Sequence, residues 1–157
     1  MQSNHQDWMV QAIDLAKNIK YDVPIAALIV KDNVLISKEI NEIEVLKDAT
    51  VHAEILAIKR ASESLGDWRL NGCTLYTTLE PCAMCTGAII NSRISKVVFG
   101  AYDLNAGACG SKVNLVKDLS KENQVEVIGG IMELEASALL KDFFKDKRIA
   151  RNLIKFS

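Results

Sequence analysis

The chain has 157 residues, 49% apolar and 25% charged, the balance of an ordinary globular protein. A chain of this length reads as one domain, residues 1–157, that buries roughly 70% of its unfolded surface without a disulfide framework. Nineteen Lys and Arg against 20 Asp and Glu leave a formal charge of −1, which excludes a protein that coats nucleic acid or anionic membrane through net charge. No apolar run approaches the ~20 residues of a membrane span, so no membrane partner is expected. The opening stretch, Met1 to Trp8, lacks the basic-then-apolar order of a signal peptide, so the expected compartment is the cytoplasm. Four cysteines, at 73, 82, 85 and 109, are then expected as metal ligands or small buried residues rather than disulfides.

Trp8, Ala12, Leu15 and Ile19 recur at helical spacing, which predicts a helix over about 5–20. Pro24 opens the apolar run Ile25-Ala-Ala-Leu-Ile-Val30, a buried strand, and Lys31-Asp-Asn33 turns it into a returning strand over 34–37. A polar stretch reaches Thr50. His52 to Ser64 reads as a helix, with Gly66 as its stop signal. Cys73-Thr-Leu-Tyr-Thr-Thr-Leu79 is a β-branched and aromatic strand, and Pro81 is expected at the first position of a helix from Cys82 to about Asn91. A strand over 94–100, a Gly-rich loop at 105–111, a strand over 125–128 and a helix from about Met132 into Phe143-Phe144 complete the chain. This order predicts a three-layer α/β/α domain with a mixed five-stranded sheet and helices on both faces. Trp8 and Trp68 are expected to pack, and Phe143 to face the core.

Two short motifs carry chemistry: His52-Ala-Glu54 and Pro81-Cys-Ala-Met-Cys85, each at a helix start. Cys82 and Cys85, three apart, can reach one ion, and a helix N-terminus favours their thiolate forms. With His52 they form a three-ligand N/S set, the pattern of a catalytic zinc with its fourth position open to water. No second histidine follows His52, so a His-Glu-x-x-His protease site is excluded. Glu54 stands beside the metal without being needed as a ligand, where it can pass a proton from water to a ring nitrogen. Attack of that water on the amine-bearing carbon of a heteroaromatic ring is hydrolytic deamination, and His-x-Glu followed by Pro-Cys-x-x-Cys is the pattern of zinc base deaminases. Cys73 and Cys109 are expected as buried bystanders.

Nearly the whole chain resembles the bacterial tRNA-specific adenosine deaminases of the cytidine deaminase-like superfamily. The resemblance rests on Asn41, Asp48-Ala-Thr-Val-His-Ala-Glu-Ile55, Leu75-Tyr-Thr-Thr-Leu-Glu-Pro-Cys-Ala-Met-Cys-Thr-Gly-Ala-Ile89, Ser92-Arg-Ile94 and Val97-Val-Phe-Gly-Ala101. Asp103, Gly107-Ala108, Gly110-Ser111, Gly129-Gly130 and Leu139-Leu-Lys-Asp-Phe-Phe144 extend it. The zinc motifs belong to the superfamily; the Gly-Ala…Gly-Ser and Leu-Leu-x-x-Phe-Phe stretches favour the tRNA enzymes. The resemblance implies one zinc per subunit on His52, Cys82 and Cys85, Glu54 as proton shuttle, and substrate contacts from Asn41, Asp103, Phe144 and Arg148. It also implies conversion of adenosine to inosine at the first anticodon position of an arginine tRNA, by a homodimer that grips the anticodon loop. The chain departs from the family pattern outside the zinc motifs: Asn105 stands for a lysine, Ala49 for a proline, Ala26 for a glycine, and Asn123-Gln124 lacks a histidine.

The charges are unevenly spread. Residues 141–157 hold six basic and two acidic residues, a local +4, which leaves −5 on the remainder. A basic helix end beside two phenylalanines suits a single-stranded RNA loop, although a solvated helix end gives the same pattern. Two rivals stay open at this point. One keeps the chemistry on a free base such as guanine or cytosine; the other is a zinc-stabilised RNA-binding module, against which Glu54 argues.

Overall fold

The computed structural model describes residues 2–122 and 124–155; Met1, Asn123, Phe156 and Ser157 lie outside the described residues. Helix α1 (His5–Lys17) starts from a reciprocal cap, in which Asn4 accepts the Asp7 amide and Asp7 accepts the Asn4 amide. It ends three residues before the expected position. The Asn18 side chain donates back to the Asp14 carbonyl and the chain turns there.

Strands β1 (Ala26–Lys31) and β2 (Val34–Ile40) form a hairpin whose two turn residues, Asp32 and Asn33, both have positive φ, the conformation a tight hairpin requires. The second strand runs three residues past the expected Ser37. Within the polar stretch lies an unanticipated single turn of helix, α2 (Ile43–Leu46), four residues long and with no buried side chain. Such a piece carries no helical period for the sequence to reveal.

Helix α3 (Ala53–Leu65) stops at left-handed Gly66, as its sequence predicts. Strand β3 (Cys73–Leu79), helix α4 (Ala83–Asn91) and strand β4 (Lys96–Ala101) follow. Pro81 is not the first helical residue. Cys82 is the N-cap, with extended backbone, and Pro81 precedes it. A five-residue helix, α5 (Leu115–Leu119), was not expected; it is capped by Asn114, which accepts the Lys117 amide. Strand β5 (Glu126–Ile128) leads to α6 (Glu133–Lys155).

The sheet order is β2-β1-β3-β4-β5. Strand β1 is antiparallel to β2 and β3, whereas β3, β4 and β5 run parallel. Alternation along the strands sorts side chains to two faces. Ala27, Ile29, Leu75 and Val97 pack with Ala57 of α3, Ile89 of α4 and Val116 of α5. Leu28, Val30, Tyr76 and Val98 pack with Met9 and Ala12 of α1 and Ala136 of α6. The expected three-layer α/β/α architecture with a mixed five-stranded sheet is therefore the one observed. Gly100 permits the close approach of α6 to β4, since a Cβ there would sit 2.7 Å from the Ala136 Cβ.

Helix α6 runs eleven residues beyond Phe144. No Gly or Pro interrupts 131–155, and good helix formers fill the segment. Ala136 is its only buried residue among those described, and Leu139 and Leu140 are partly buried. Phe143 is half-buried rather than in the core, and Phe144 is exposed. Trp8 packs in the core as expected, but Trp68 does not: it is 52% exposed, with the Arg69 and Arg93 guanidinium carbons 4.5 and 5.3 Å from its ring.

Candidate active site and metal centre

Beyond the carboxyl ends of the parallel strands β3 and β4, where open α/β sheets place their ligands, two helices begin together. His52 is the N-cap of α3 and Cys82 the N-cap of α4. Cys85 occupies the third helical position of α4. The N-cap and third-position side chains of a helix face one another, as in a capping box, so Cys82 and Cys85 meet although only Cys85 is helical.

The His52 Nδ1 lies 3.7 Å from Cys82 Sγ and 3.5 Å from Cys85 Sγ. The three ligand atoms lie within 4.8 Å of one another. A tetrahedral zinc with ordinary Zn–S and Zn–N bonds sets an N···S separation of about 3.6 Å, so this N/S donor set fits that ion. Among the described residues no further His, Cys, Asp or Glu joins the group, which leaves a tetrahedral ion one open position.

The electrostatics around the group favour a thiolate. The neighbouring Cys85 side chain first, and then His52, hold the Cys82 thiol well below its usual range against the opposing effect of burial. The same pairing with Cys82, together with burial and the neighbouring Glu54 charge, pushes Cys85 up. His52 is raised chiefly by its hydrogen bond to Cys82.

Glu54 is buried at 4% exposure, and both its oxygens are engaged. Thr77 Oγ1 donates to Oε1 at 2.9 Å, and the Cys85 thiol donates to Oε2 at 3.2 Å. Burial is the main cause of an upward shift of its carboxyl. The residue thus stands beside the three ligands with a carboxyl that holds its proton more readily than an exposed one.

Asn41 is buried, and its Oδ1 accepts the Ala53 amide at 2.8 Å, so it supplies the side-chain cap that His52 does not. Its Nδ2 has no hydrogen-bond partner among the described residues. Asp103, after β4, turns its carboxylate into its own loop and accepts the amides of Asn105 and Ala106. Phe144 and Arg148 are not brought to the metal group. They stand with Lys147 and Arg151 around a concavity of about 220 Å³ on α6, which packs on the opposite face of the sheet from α3 and α4.

Two functional contacts escaped the sequence reading. Thr77 anchors Glu54, and period-two alternation from Leu75 could have placed it on the α3 face. Glu80 organises the 103–111 loop, and a carboxylate directly before Pro81-Cys82 was its only signal. Cys73 and Cys109 are buried, and burial raises both thiols, Cys109 to about 11.

This fold and this site define a deaminase of the cytidine deaminase-like class. The family model of the MafB19-like deaminases matches residues 3–148. The tRNA-specific adenosine deaminase of Bacillus subtilis is 43% identical over 143 residues, covering 90% of this chain and 89% of that protein. That of Aquifex aeolicus is 46% identical over 129 residues, covering 82% and 85%. Among solved structures, a tRNA:A34 deaminase shares 37% identity with a TM-score of 0.71, covering 84% of this chain and 94% of that one. The guanine deaminase of Nitrosomonas europaea superimposes with a TM-score of 0.79 at 26% identity, covering 91% and 86%. The chain belongs to the bacterial tRNA-specific adenosine deaminases.

Proposed function

We propose that the protein hydrolyses adenosine to inosine at the first anticodon position of tRNA, with an arginine tRNA as substrate. It acts as a cytoplasmic homodimer with one zinc per subunit, held by His52, Cys82 and Cys85. The observation that carries this reading is the buried Glu54 carboxylate beside a three-ligand N/S set. A purely structural zinc would take a fourth protein ligand and has no use for that carboxylate. The relatives that share 43% and 46% identity support tRNA as the substrate, and the neighbour described as editing A to I at the wobble position supports the site.

Held by His52, Cys82 and Cys85, zinc would supply Lewis-acid activation of a water, lowering its pKa toward ~7. The reaction joins the water oxygen to C6 of the flipped-out adenine, breaks the C6–N6 bond and releases ammonia. Glu54 moves the protons: it takes one from the water, delivers it to ring N1, and passes the next to the departing amine. Thr77 holds Oε1 and so fixes the carboxylate for this transfer. Burial raises the Glu54 carboxyl above the usual range, which favours proton uptake by a group that must later give the proton up. The Asn41 Nδ2 is oriented to donate to the nucleotide, because Oδ1 is committed to the Ala53 amide.

The test is Glu54→Gln assayed on an arginine tRNA transcript. Zinc content and folding should stay near wild type while inosine formation falls at least 10²-fold, the lower end for loss of a general acid–base. Unchanged turnover would remove Glu54 from the mechanism. Ammonia released from free guanine, with no inosine in the tRNA, would instead favour the free-base reading suggested by the Nitrosomonas likeness.

A further inference from the structure

Glu80 immediately precedes Pro81 and Cys82, and its carboxylate is bonded into the loop after β4. It is 2% exposed. Its Oε1 accepts the Asp103 amide at 3.3 Å and the Ser111 hydroxyl; its Oε2 accepts the amides of Cys109 at 3.2 Å and Ser111 at 3.1 Å. No Lys, Arg or His pairs with it among the described residues, so these four donors alone replace its lost hydration.

The surrounding chain is built to the carboxylate. A Cβ on Gly107 would collide with the Glu80 carboxylate and with the Asp103 carbonyl oxygen, so only glycine fits there. The Ala108 amide donates to the Pro81 carbonyl at 2.8 Å, and the Cys109 thiol lies 3.5 Å from Thr86 Oγ1, one residue past Cys85. One end of the loop, Asp103, and the other, Ser111, are thus tied to the same side chain. That side chain is fixed to the strand–helix junction that supplies two of the three metal-binding atoms.

We propose that Glu80 is a positioning residue that locks the 103–111 loop against the Cys82–Cys85 helix start, so that the loop forms a rigid wall of the nucleotide site. This rests on the tRNA deaminase reading for the identity of the substrate, but the locking itself does not. A preorganised wall spares the ordering cost that a mobile loop would add on binding, so its loss appears as weaker binding rather than as a slower chemical step.

Glu80→Gln tests it. Glutamine has the same shape but carries only one acceptor oxygen. If its NH2 replaces Oε2, two loop amides face a donor. If it replaces Oε1, the Ser111 hydroxyl can turn to accept and only the Asp103 amide is stranded. The second orientation is the better one, so hydrogen exchange of the Asp103 amide should rise at least tenfold while the amides of β3 and β4 keep their protection. Zinc content should be unchanged. KM for an anticodon stem-loop should rise at least fivefold, with kcat within twofold of wild type.

Unchanged loop exchange and KM overturn the proposal, and so does an equal loss of protection across β3 and β4, which would make Glu80 a general stabiliser. Should Glu80→Gln not fold, Ser111→Ala removes one donor without adding a clash. It should raise KM by a smaller factor at constant kcat, and an unchanged KM there also overturns the proposal. If the wild-type protein fails to deaminate the stem-loop, the functional reading falls while the exchange measurements still decide whether Glu80 locks the loop.

Discussion

At the scale of single residues, the two ends of the Asn41 amide have different work. Its oxygen satisfies the Ala53 amide at the buried start of the helix that carries His52 and Glu54, while its nitrogen has no hydrogen-bond partner among the described residues and is the donor we propose for substrate. Asn41→Ala strands a buried N–H and should cost about 1–2 kcal/mol, readable as a lower denaturation midpoint at unchanged m-value. Asn41→Asp keeps an acceptor and adds a charge favoured at a helix N-terminus, so stability should hold. Turnover on tRNA should nevertheless fall, because the Nδ2 donor is gone. Equal activity of Asn41→Asp and wild type would show that the substrate does not use that nitrogen. The sequence made Asn41 legible only through resemblance. Its capping role depends on a contact twelve residues away, which no local pattern encodes.

At the scale of elements, legibility followed period and punctuation. The helix ending at Gly66 and the tight turn at Asp32-Asn33 were readable because both are written in local backbone chemistry. The short helices Ile43–Leu46 and Leu115–Leu119 were not, since one turn is too brief to show an apolar face. The grouping of His52, Cys82 and Cys85 was legible from spacing, yet its geometry differs from two cysteines on one helical face: Cys82 is an N-cap and Cys85 a third-position residue. The Cys82 thiol differs from those of Cys73 and Cys109. Cys82 is half-buried and held toward the thiolate by its neighbours, whereas Cys73 and Cys109 are buried with raised pKa values. Removal of the metal by a chelator should therefore let iodoacetamide label Cys82 first at pH 7. Peptides containing Cys73 or Cys109 should stay unmodified until the fold is lost. Mass spectrometry reads the order, and early labelling of Cys109 would contradict the environment described for it.

At the scale of the whole molecule, a formal charge of −1 conceals a basic arm on an acidic body. The structure extends that arm: α6 stays helical to Lys155, and Phe144, Arg148, Arg151 and Lys155 recur at spacings of four, three and four, which places them on one face. The row spans about 16 Å at 1.5 Å per residue. Neither Arg148 nor Arg151 is spent on an ion pair among the described residues, so both charges are available to phosphate. An arm standing off the sheet face opposite the metal helices can bind RNA without taking part in the chemistry. Arg148→Ala with Arg151→Ala should then weaken binding of the anticodon stem-loop and flatten the dependence of log K on log salt by about 1.5, two phosphate contacts at roughly 0.7–0.9 each. Turnover at saturating RNA and zinc content should be unaffected. A wild-type salt slope in the double variant would return α6 to the simpler role of a solvated helix end, and the RNA grip would then have to come from the loops around Asn41 and Asp103.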